Sequence, residues 1–294
     1  MVANRPTPEI DVTVSLARKL VEEQFPDWSD LALTELDRGW DNTSFRLGDD
    51  LVVRIPHRAL AAPLIGHEQR WLPEIAERVD LAIPAPVGAG RPSERLGYPW
   101  CWSVVPWFEG ADAAVAPLRD PAVAARRLGT FFRQLHVPAP EHAPSNPFRG
   151  GRIADFSHRL DHHLSALGDA VDGPRCRELF EWAAAAPPAS APVWLHGDLH
   201  ARNVVVHEGS LAAVIDWGDL CSGDRATDLA GAFMLVPDHI GIVAEAAGSD
   251  EASWVRARGW ATLFALVYLA NSADEPVMAS IGNRLLAALV DGLE

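Results

Sequence analysis

The sequence predicts an α+β fold in which a small antiparallel sheet precedes a mostly helical region. Strand-like segments separated by turn residues are concentrated before residue 108, whereas helical periodicity dominates after it. Only residues 193–215 interrupt the helices with strand-like sequence. Hydrophobic residues make up 48% and charged residues 22% of the chain, so it can bury a sizeable core. We therefore expect two lobes, residues 1–108 and 109–294.

Four strands and one helix are predicted in the N-terminal lobe. Turn residues at 48–50 separate two short apolar segments and predict a β-hairpin, and Pro56 ends its second strand. Residues 67–78 have helical spacing, although Pro73 inside them indicates a kink or a later helix start. The predicted strands are residues 31–37, 44–47, 51–55 and 102–107.

Helices are predicted for most of the C-terminal lobe. Asp120 followed by Pro121 is a typical helix start, with a capping side chain and then a proline at the first helical position. Proline-rich segments at 138–147 and 187–192 connect neighbouring helices. The predicted helices are residues 120–135, 153–167, 174–185, 227–235, 252–270 and 276–289.

The net charge and the cysteine count restrict the partners of the protein. A net charge of −15 argues against nucleic acid and anionic membranes, and it favours a cationic small molecule. The three cysteines are far apart and form no Cys-x-x-Cys pair, so neither a disulfide framework nor a thiolate zinc site is expected. Residues 1–6 lack the apolar core of a signal peptide, and the apolar stretch at 260–270 is too short to span a membrane. We expect a cytoplasmic protein, and its oligomeric state is left open.

The polar residues that point to a reaction lie between positions 194 and 216. Two apolar strands flank Gly209 and Ser210, which predicts a hairpin. Residues equally distant from the turn face each other in an antiparallel ladder, so Asn203 and Asp216 are expected to meet at its open end. Asp198 lies five residues before Asn203, in a short loop that leads to the same end.

Two carboxylates and one amide oxygen at one point suit Mg²⁺ beside substrate phosphates, because hard cations prefer oxygen ligands. Phosphoryl transfer uses such a set to accept the proton of the attacking hydroxyl and to neutralise phosphate charge. Asp198 is therefore predicted as the catalytic base, and Asn203 and Asp216 as the metal ligands. The alternative is a surface hairpin with ordinary polar residues at its ends. The complete Asp-x₄-Asn-x₁₂-Asp spacing favours the catalytic interpretation.

Three segments around these residues resemble the aminoglycoside phosphotransferase family, which includes macrolide and choline kinases. Residues 196–203 read His-Gly-Asp-Leu-His-Ala-Arg-Asn, residues 214–218 read Val-Ile-Asp-Trp-Gly, and residues 223–230 read Gly-Asp-Arg-Ala-Thr-Asp-Leu-Ala. The spacing is similar to the catalytic loop and metal-binding segment of protein kinases. The resemblance extends over nearly the whole chain. It implies a bilobal protein-kinase-like fold, with a nucleotide-binding N-lobe and a C-lobe that holds the catalytic loop and the acceptor site.

The resemblance also implies a nucleotide site for ATP or GTP. The loop at residues 39–43, with one glycine, would cover the nucleotide, and Asn42, Thr43 and Ser44 would offer donors to its phosphates. Arg54 stands where the kinase lysine is expected, because the third strand contains no lysine. Glu68 is its expected ion-pair partner at the start of the following helix. Val52 shares a face with Arg54 and would lie over the base.

Two further groups of residues complete the predicted site. Residues 104–110 would form the hinge between the lobes, and because Pro106 lacks an amide hydrogen, Trp107 or Phe108 would bind the purine. Substrate-binding candidates are Trp217, Asp219 and His200.

Several neighbouring residues receive structural interpretations. His196 is expected to brace the catalytic loop through hydrogen bonds. Asp224 and Asp228 are interpreted as helix caps or, for Asp228, as a brace of the same loop. The pair His158 and His162 has metal-binding spacing but no third ligand, which favours a solvated helix face.

The function expected from these residues is transfer of the γ-phosphate of ATP or GTP to a hydroxyl of a small acceptor. The charge and the resemblance favour a cationic acceptor of the aminoglycoside type. A macrolide, choline, an amino alcohol or a sugar is the alternative within enzymes. A nucleotide-binding pseudokinase is the alternative of another class, supported by Arg54 in place of lysine and opposed by the complete Asp198, Asn203 and Asp216 set.

Overall fold

An antiparallel sheet of five strands forms the N-terminal lobe of the computed structural model, which describes residues 6–272 and 275–291. Its strand order is β1-β2-β3-β5-β4, and all four predicted strands are present within two residues of their expected bounds. Residues 1–5, part of the segment in which we saw no signal peptide, lie outside the described residues. The strands are β1 (Leu33–Arg38), β2 (Asn42–Leu47), β3 (Leu51–Pro56), β4 (Gly88–Gly90) and β5 (Trp102–Pro106).

Two helices accompany this sheet. Helix α1 (Val14–Gln24) was not predicted, although Thr13 caps it by accepting a hydrogen bond from the Leu16 amide. Its buried face joins the apolar side chains of the sheet in one core cluster. Helix α2 (Ala62–Ala76) begins five residues earlier than expected, with a proline in its first turn, and continues through Pro73. Glu68 therefore lies in the second turn of α2 and does not open the helix.

The C-terminal lobe is mostly helical, as predicted. Helix α9 is its centre and packs against α4, α5, α6 and α10, with most of its residues buried. The segment expected as one helix over 227–235 forms two short helices, and α8 was missed. The division at residue 108 falls between β5 and β6 and stays a prediction. The helices are α3 (Pro121–Leu135), α4 (Ser157–Leu167), α5 (Gly173–Ala184), α6 (Ala226–Leu229), α7 (Ala232–Leu235), α8 (Ile240–Ala247), α9 (Glu251–Asn271) and α10 (Pro276–Asp291).

Two small sheets carry the catalytic segment of this lobe. One has the strand order β6-β8-β9 and the other pairs β7 with β10. The predicted catalytic loop, called the catalytic loop from here on, runs from the end of β7 to the start of β8, so both sheets hold it. The strands are β6 (Ala111–Asp112), β7 (Val193–Leu195), β8 (Val204–His207), β9 (Ser210–Val214) and β10 (Cys221–Gly223).

The hairpin of β8 and β9 forms as predicted, but its register differs by one residue at the open end. The turn is made by Glu208 and Gly209, both with positive φ, and a bulge follows in β9. Val204 therefore pairs with Val214, and the Ile215 amide donates to the Asn203 carbonyl at 2.8 Å. Asp216 follows one residue beyond the ladder. Because the turn is centred one residue earlier than expected, an unbroken ladder would place Asn203 opposite Val214, and the bulge, which sets two residues of one strand opposite one of the other, moves its partner to Ile215.

Within the described part of the chain, no single helix is long and apolar enough to cross a membrane. One bent helix pair, Ala226–Leu235 with Pro237–Ala247, meets the criterion by length and composition alone.

Candidate active site

A cleft of about 820 Å³ lies between the N-terminal sheet and the helical lobe. Residues of both lobes line it, from the end of β1 to the start of α10. Most predicted site residues reach this one cleft although they are far apart in sequence. Those that line it are Asn42, Ser44, Val52, Arg54, Trp107, Phe108, Asp198, His200, Asn203 and Asp216.

Asp198, the predicted base, lies in the loop after β7 with its side chain 25% exposed. Its two carboxylate oxygens have different surroundings. Arg149 donates to Oδ1 at 3.1 Å, whereas Oδ2 lies 3.5 Å from Nε2 of His200. Burial would raise the pKa of Asp198, but the neighbouring His200, Arg149 and His196 outweigh it and hold this pKa below its ordinary value. Because burial lowers the pKa of His200, the permanent positive charge beside Asp198 belongs to Arg149.

The catalytic loop is braced from behind by a fully buried carboxylate. Asp228 accepts hydrogen bonds from the backbone amides of His196 and Gly197, each at 2.8 Å, and from Nε2 of His136 at 3.2 Å. His196 adds a second brace, because its Nε2 donates to the Ile215 carbonyl and its Nδ1 accepts from the Asp198 amide. The expected bracing roles of Asp228 and His196 are thus confirmed by geometry.

Asn203 and Asp216 offer oxygen atoms to a divalent cation. The Asn203 amide nitrogen donates to the Asp198 carbonyl at 2.9 Å, so the side-chain oxygen of Asn203 is directed away from that carbonyl. The carboxylate of Asp216 is 62% exposed towards the cleft. Its backbone has φ of 60°, a left-handed conformation that non-glycine residues seldom adopt and that is enriched at functional sites.

These two residues fit a metal shared with a nucleotide. Among the described residues, no cluster of three or more His, Cys, Asp or Glu side chains forms a metal cage. Mg²⁺ in phosphoryl-transfer sites commonly takes one or two carboxylates and completes its shell with phosphate and water. The pair of one carboxylate and one amide therefore has the right chemistry for Mg²⁺ beside phosphates, and it would not suffice to hold the ion alone.

The N-lobe wall of the cleft places a positive charge opposite Asp216. Arg54 on β3 donates to Glu68 at 2.5 Å and lies 3.5 Å from Asp216 Oδ1. The ion pair with Glu68 is therefore present as predicted. Burial alone would lower the pKa of Arg54, but Glu68 and Asp216 raise it above its ordinary value, so the guanidinium keeps its charge.

The loop that was predicted to cover the nucleotide lines the cleft with residues 39–42, and along β2 only alternate residues face the cleft. Asn42 and Ser44 line it, whereas Thr43 is fully buried on the opposite face of β2. The Thr43 hydroxyl lies 3.3 Å from Nδ1 of His57, so it is not available to phosphate, and its predicted role is corrected. The alternation of side chains along a strand explains the difference. Asp41, which was not predicted, also lines the cleft, and burial raises its pKa.

Two backbone amides in the hinge after β5 were predicted as alternatives for binding a purine, and only one of them remains a candidate. The Trp107 amide donates to the Asp50 carbonyl at 2.7 Å, so it is already occupied. Phe108 lines the cleft and becomes the candidate donor. The Trp107 indole contributes to the cleft wall and donates to Glu109, while the guanidinium of Arg46 lies 4.0 Å from its ring centre.

The far end of the cleft is formed by residues that the sequence did not single out. Arg202 of the catalytic loop forms an ion pair with Glu275 at 2.5 Å, which joins the loop to the start of α10. Tyr268 packs edge-on against His200, with ring centres 5.9 Å apart. No motif marks these positions, because they belong to helices that close over the loop only in the fold. The other lining residues at this end are Val267, Asn271, Ser272 and Met278.

Two predicted acceptor-binding residues lie elsewhere. Trp217 is 0% exposed and its indole donates to the Val214 carbonyl at 2.9 Å, so it is a core residue. Its prediction as an acceptor-binding residue is wrong, because the chain turns at Asp216 and directs the next side chain inward. Asp219 lies behind Asp198, where Asn146 donates to it at 2.6 Å and Arg149 approaches to 3.9 Å. Its charge is thus engaged by the protein.

This fold and cleft define a phosphotransferase of the kinase-like class. The sequence pattern of the phosphotransferase enzyme family (APH) matches residues 32–262. The chain belongs to this family, and the resemblance seen in its motifs is confirmed. No curated protein sequence matches the chain.

Solved structures of the same class superpose over nearly the whole chain. The GDP and kanamycin complex of an APH(2") enzyme is 18% identical, with a TM-score of 0.66, and the match covers 95% of this chain and 99% of that one. The streptomycin–ATP complex of APH(2")-IIa is 15% identical, with a TM-score of 0.60 and coverage of 88% and 91%. Macrolide 2'-phosphotransferase MphH from Brachybacterium faecium is 20% identical, with a TM-score of 0.61 and coverage of 92% and 97%. At these identities the likeness shows the fold, which confirms the predicted bilobal kinase-like architecture.

Proposed function

We propose that the protein transfers the γ-phosphate of ATP or GTP to a hydroxyl of a small-molecule acceptor. The observation that carries this proposal is the convergence of Asp198, Asn203, Asp216 and Arg54 on one cleft between two lobes. A base, a metal-binding pair and a phosphate-binding cation are the parts that phosphoryl transfer requires. Relatives of the same fold bound to GDP and to ATP support a nucleotide donor.

In the proposed reaction, Asp198 orients the acceptor hydroxyl and accepts its proton through Oδ2, the oxygen not held by Arg149. The acceptor oxygen forms a bond to the γ-phosphorus, the bond from that phosphorus to the bridging oxygen breaks, and the nucleoside diphosphate leaves. Arg54 binds phosphate oxygens from the N-lobe side. Asn203 and Asp216 would hold Mg²⁺, which supplies charge neutralisation at the phosphates.

A cationic acceptor of the aminoglycoside type is the first candidate. The net charge of −15 supports it, since a negative field raises the local concentration of a polycation. The carboxylates of Asp41 and Asp112 also line the cleft. Kanamycin and streptomycin in the complexes of two structural relatives support acceptors of this size and class.

A macrolide is the second candidate, because the far end of the cleft is less acidic than a polycation would favour. Among the described residues at this end, the carboxylate of Glu275 is paired with Arg202. Val267 and Met278 add apolar surface. A macrolide phosphotransferase among the structural relatives supports this candidate. Apolar lining favours acceptors with large hydrocarbon surfaces, and paired charges contribute little to binding a further cation.

The test is consumption of ATP and GTP by purified protein with kanamycin, streptomycin, a macrolide, choline and glucose as acceptors. We expect one acceptor class to stimulate consumption and to gain a phosphate in the mass spectrum. The variant Asp198→Asn should lower that turnover by about 10²–10⁴-fold, because a positioned base contributes this much. Nucleotide affinity, measured by calorimetry, should remain close to that of the wild type.

Two outcomes would redirect the assignment. Nucleotide binding without stimulation by any acceptor would favour a pseudokinase. Wild-type turnover in Asp198→Asn would remove the base role and leave the nucleotide site intact.

A further inference from the structure

Arg149 is a buried arginine in direct contact with the proposed base, and it belongs to no motif of the catalytic segment. We propose that Arg149 is a positioning residue that holds one oxygen of the Asp198 carboxylate, so that the other oxygen remains directed at the acceptor hydroxyl. This inference rests on the proposed function. It adds a residue 49 positions before Asp198 to the site.

The contacts of Arg149 account for this role. Its Nη2 donates to Asp198 Oδ1 at 3.1 Å and lies 3.9 Å from Asp219 Oδ2. Its Nη1 donates to the carbonyl of Phe148 at 3.2 Å, and the guanidinium lies 5.1 Å from the ring centre of Phe264. The side chain is only 14% exposed. A guanidinium held on several sides in this way gives the carboxylate a fixed direction.

The loop that delivers Arg149 is anchored on the same segment that braces the catalytic loop. The Asp224 amide donates to the Gly150 carbonyl at 2.7 Å, and the Gly150 amide donates to the Thr227 hydroxyl at 3.2 Å. Gly150 has φ of 73°, and a Cβ there would lie 3.0 Å from a Leu195 methyl carbon, so the close approach requires glycine. Asp228, four residues after Asp224, holds the catalytic loop itself. Arg149 and Asp198 are therefore positioned from one common support.

Arg149 also keeps its positive charge when it is buried, whereas a buried histidine tends to lose its charge. Arginine remains protonated in proteins, whereas burial lowers the pKa of the adjacent His200. Arg149 faces two carboxylates, Asp198 and Asp219, and Asn146 donates to the second. Because Arg149 divides its contacts between these two carboxylates, it binds only Oδ1 of Asp198. Oδ2 has no ion pair with this arginine. This oxygen lies 3.5 Å from Nε2 of His200, and both residues line the cleft.

The experiment compares Arg149→Met, Arg149→Lys, Arg149→Ala and the matched control Arg159→Met. Arg159 also donates to the Phe148 carbonyl at 3.2 Å and stacks near the same loop, but no contact joins it to Asp198 in the described residues. Turnover is measured as hydrolysis of Mg²⁺-ATP and Mg²⁺-GTP and as transfer to kanamycin. We expect Arg149→Met to lower kcat about 10²-fold, the cost of a misplaced catalytic group, with the nucleotide KM and Kd unchanged.

The other variants separate positioning from support of the fold. Arg149→Lys should recover part of kcat, because its ammonium can reach one carboxylate oxygen without the planar fork. Added guanidinium chloride should raise kcat of Arg149→Ala. Arg159→Met should keep kcat within about twofold of the wild type. An equal loss of kcat in Arg149→Met and Arg159→Met, or wild-type kcat in Arg149→Met, would overturn the proposal.

A crystal structure of Arg149→Met gives a readout that does not depend on turnover. We expect the Asp198 carboxylate to rotate away from its wild-type direction while the backbone of the loop stays in place. An unchanged carboxylate would overturn the role of Arg149 even if the wild type phosphorylates kanamycin. A rotated carboxylate in a protein that transfers phosphate to nothing would instead support the positioning role and contradict the proposed function.

Discussion

Two buried polar side chains hold the two loops of the cleft, and they do so with different strength. Asp228 holds the catalytic loop through two backbone amides at 2.8 Å and one imidazole at 3.2 Å. His57 holds the loop at residues 39–43, which we call the nucleotide-side loop. Its Nε2 donates to the Trp40 carbonyl at 3.2 Å and its Nδ1 accepts from Thr43 at 3.3 Å. Both side chains are almost completely buried.

The difference lies in charge and bond length. A carboxylate that accepts short bonds from amides binds them about twice as strongly as a neutral group does. His57 is a neutral ring with longer contacts, and burial lowers its pKa. The catalytic loop is therefore held firmly, while the nucleotide-side loop is held by weaker bonds, which under the proposed function a bound nucleotide would rearrange. Catalysis requires that the catalytic base is held rigidly, whereas nucleotide entry and exit require a cleft wall that can move.

The largest effect is expected from Asp228→Ala. The change leaves the amides of His196 and Gly197 without their buried acceptor, so the free energy of unfolding should fall by about 4 kcal/mol. Urea denaturation followed by tryptophan fluorescence measures this loss. The control Asp120→Ala removes a carboxylate that also accepts from two amides, but at an exposed helix start, and should cost only about 1 kcal/mol. Equal losses would contradict the view that burial makes the Asp228 brace strong.

An intermediate effect is expected from Arg54→Lys, which tests the N-lobe side of the cleft. A lysine ammonium can keep the contact with Glu68 but cannot also reach Asp216 and phosphate with a planar fork. The nucleotide KM should rise about tenfold, equivalent to ~1.4 kcal/mol. Initial-rate kinetics with varied ATP or GTP measure it. Arg46→Lys on the neighbouring strand, where the guanidinium pairs with Glu109, is the control and should leave KM unchanged. A lower KM in Arg54→Lys would show that arginine weakens the nucleotide site.

The smallest effect is expected from His57→Gln and appears in the pH dependence of stability. Because burial lowers the pKa of His57, the folded protein keeps the ring neutral while the unfolded chain takes up a proton near its ordinary value of 6.5. The stability that the neutral ring contributes is therefore present above this pH and is lost as the pH falls below it. His57→Gln should lose less stability than the wild type between pH 7.5 and pH 5.5.

Thr43→Val is the matched control for this pH experiment. It removes the hydroxyl that contacts His57 but keeps the imidazole, so its pH dependence should follow that of the wild type. Thermal unfolding at several pH values compares the three proteins. Identical pH dependence in His57→Gln and the wild type would show that other histidines cause the loss.

Much of the fold was predictable because local signals agree with the tertiary structure. Turn residues, alternating apolar residues and Asp120-Pro121 located four of the five strands of the N-terminal sheet and helix α3 within two residues, whereas β4 was missed. Helix α1 was missed although the sequence marks it, because Thr13 caps it and its buried residues Ala17, Leu20 and Val21 follow helical spacing. The hairpin register differed by one residue because the turn is centred one residue earlier than the apolar pattern indicated, and the bulge in β9 offset only half of that shift.

The candidate site was predictable where function depends on spacing and less so where it depends on orientation. Asn42 and Ser44 line the cleft, but Thr43 between them faces the core. Trp217 follows directly on Asp216 and is nevertheless buried. In both cases the neighbour along the chain is on the opposite side of the backbone. A list of consecutive motif residues therefore includes members that cannot touch the substrate.

The sequence by itself determined the proposed catalytic set, because Asp198, Asn203 and Asp216 lie within 19 residues on one loop and hairpin. The hairpin brings Asn203 and Asp216 to one end of the ladder, and the short loop before it keeps Asp198 near them. Only the tertiary structure decided which groups support and complement that set. Arg149 reaches Asp198, and Arg54 reaches Asp216 across 162 residues, through packing of the two lobes. Such contacts depend on the joint burial of many elements, and no local spacing encodes them.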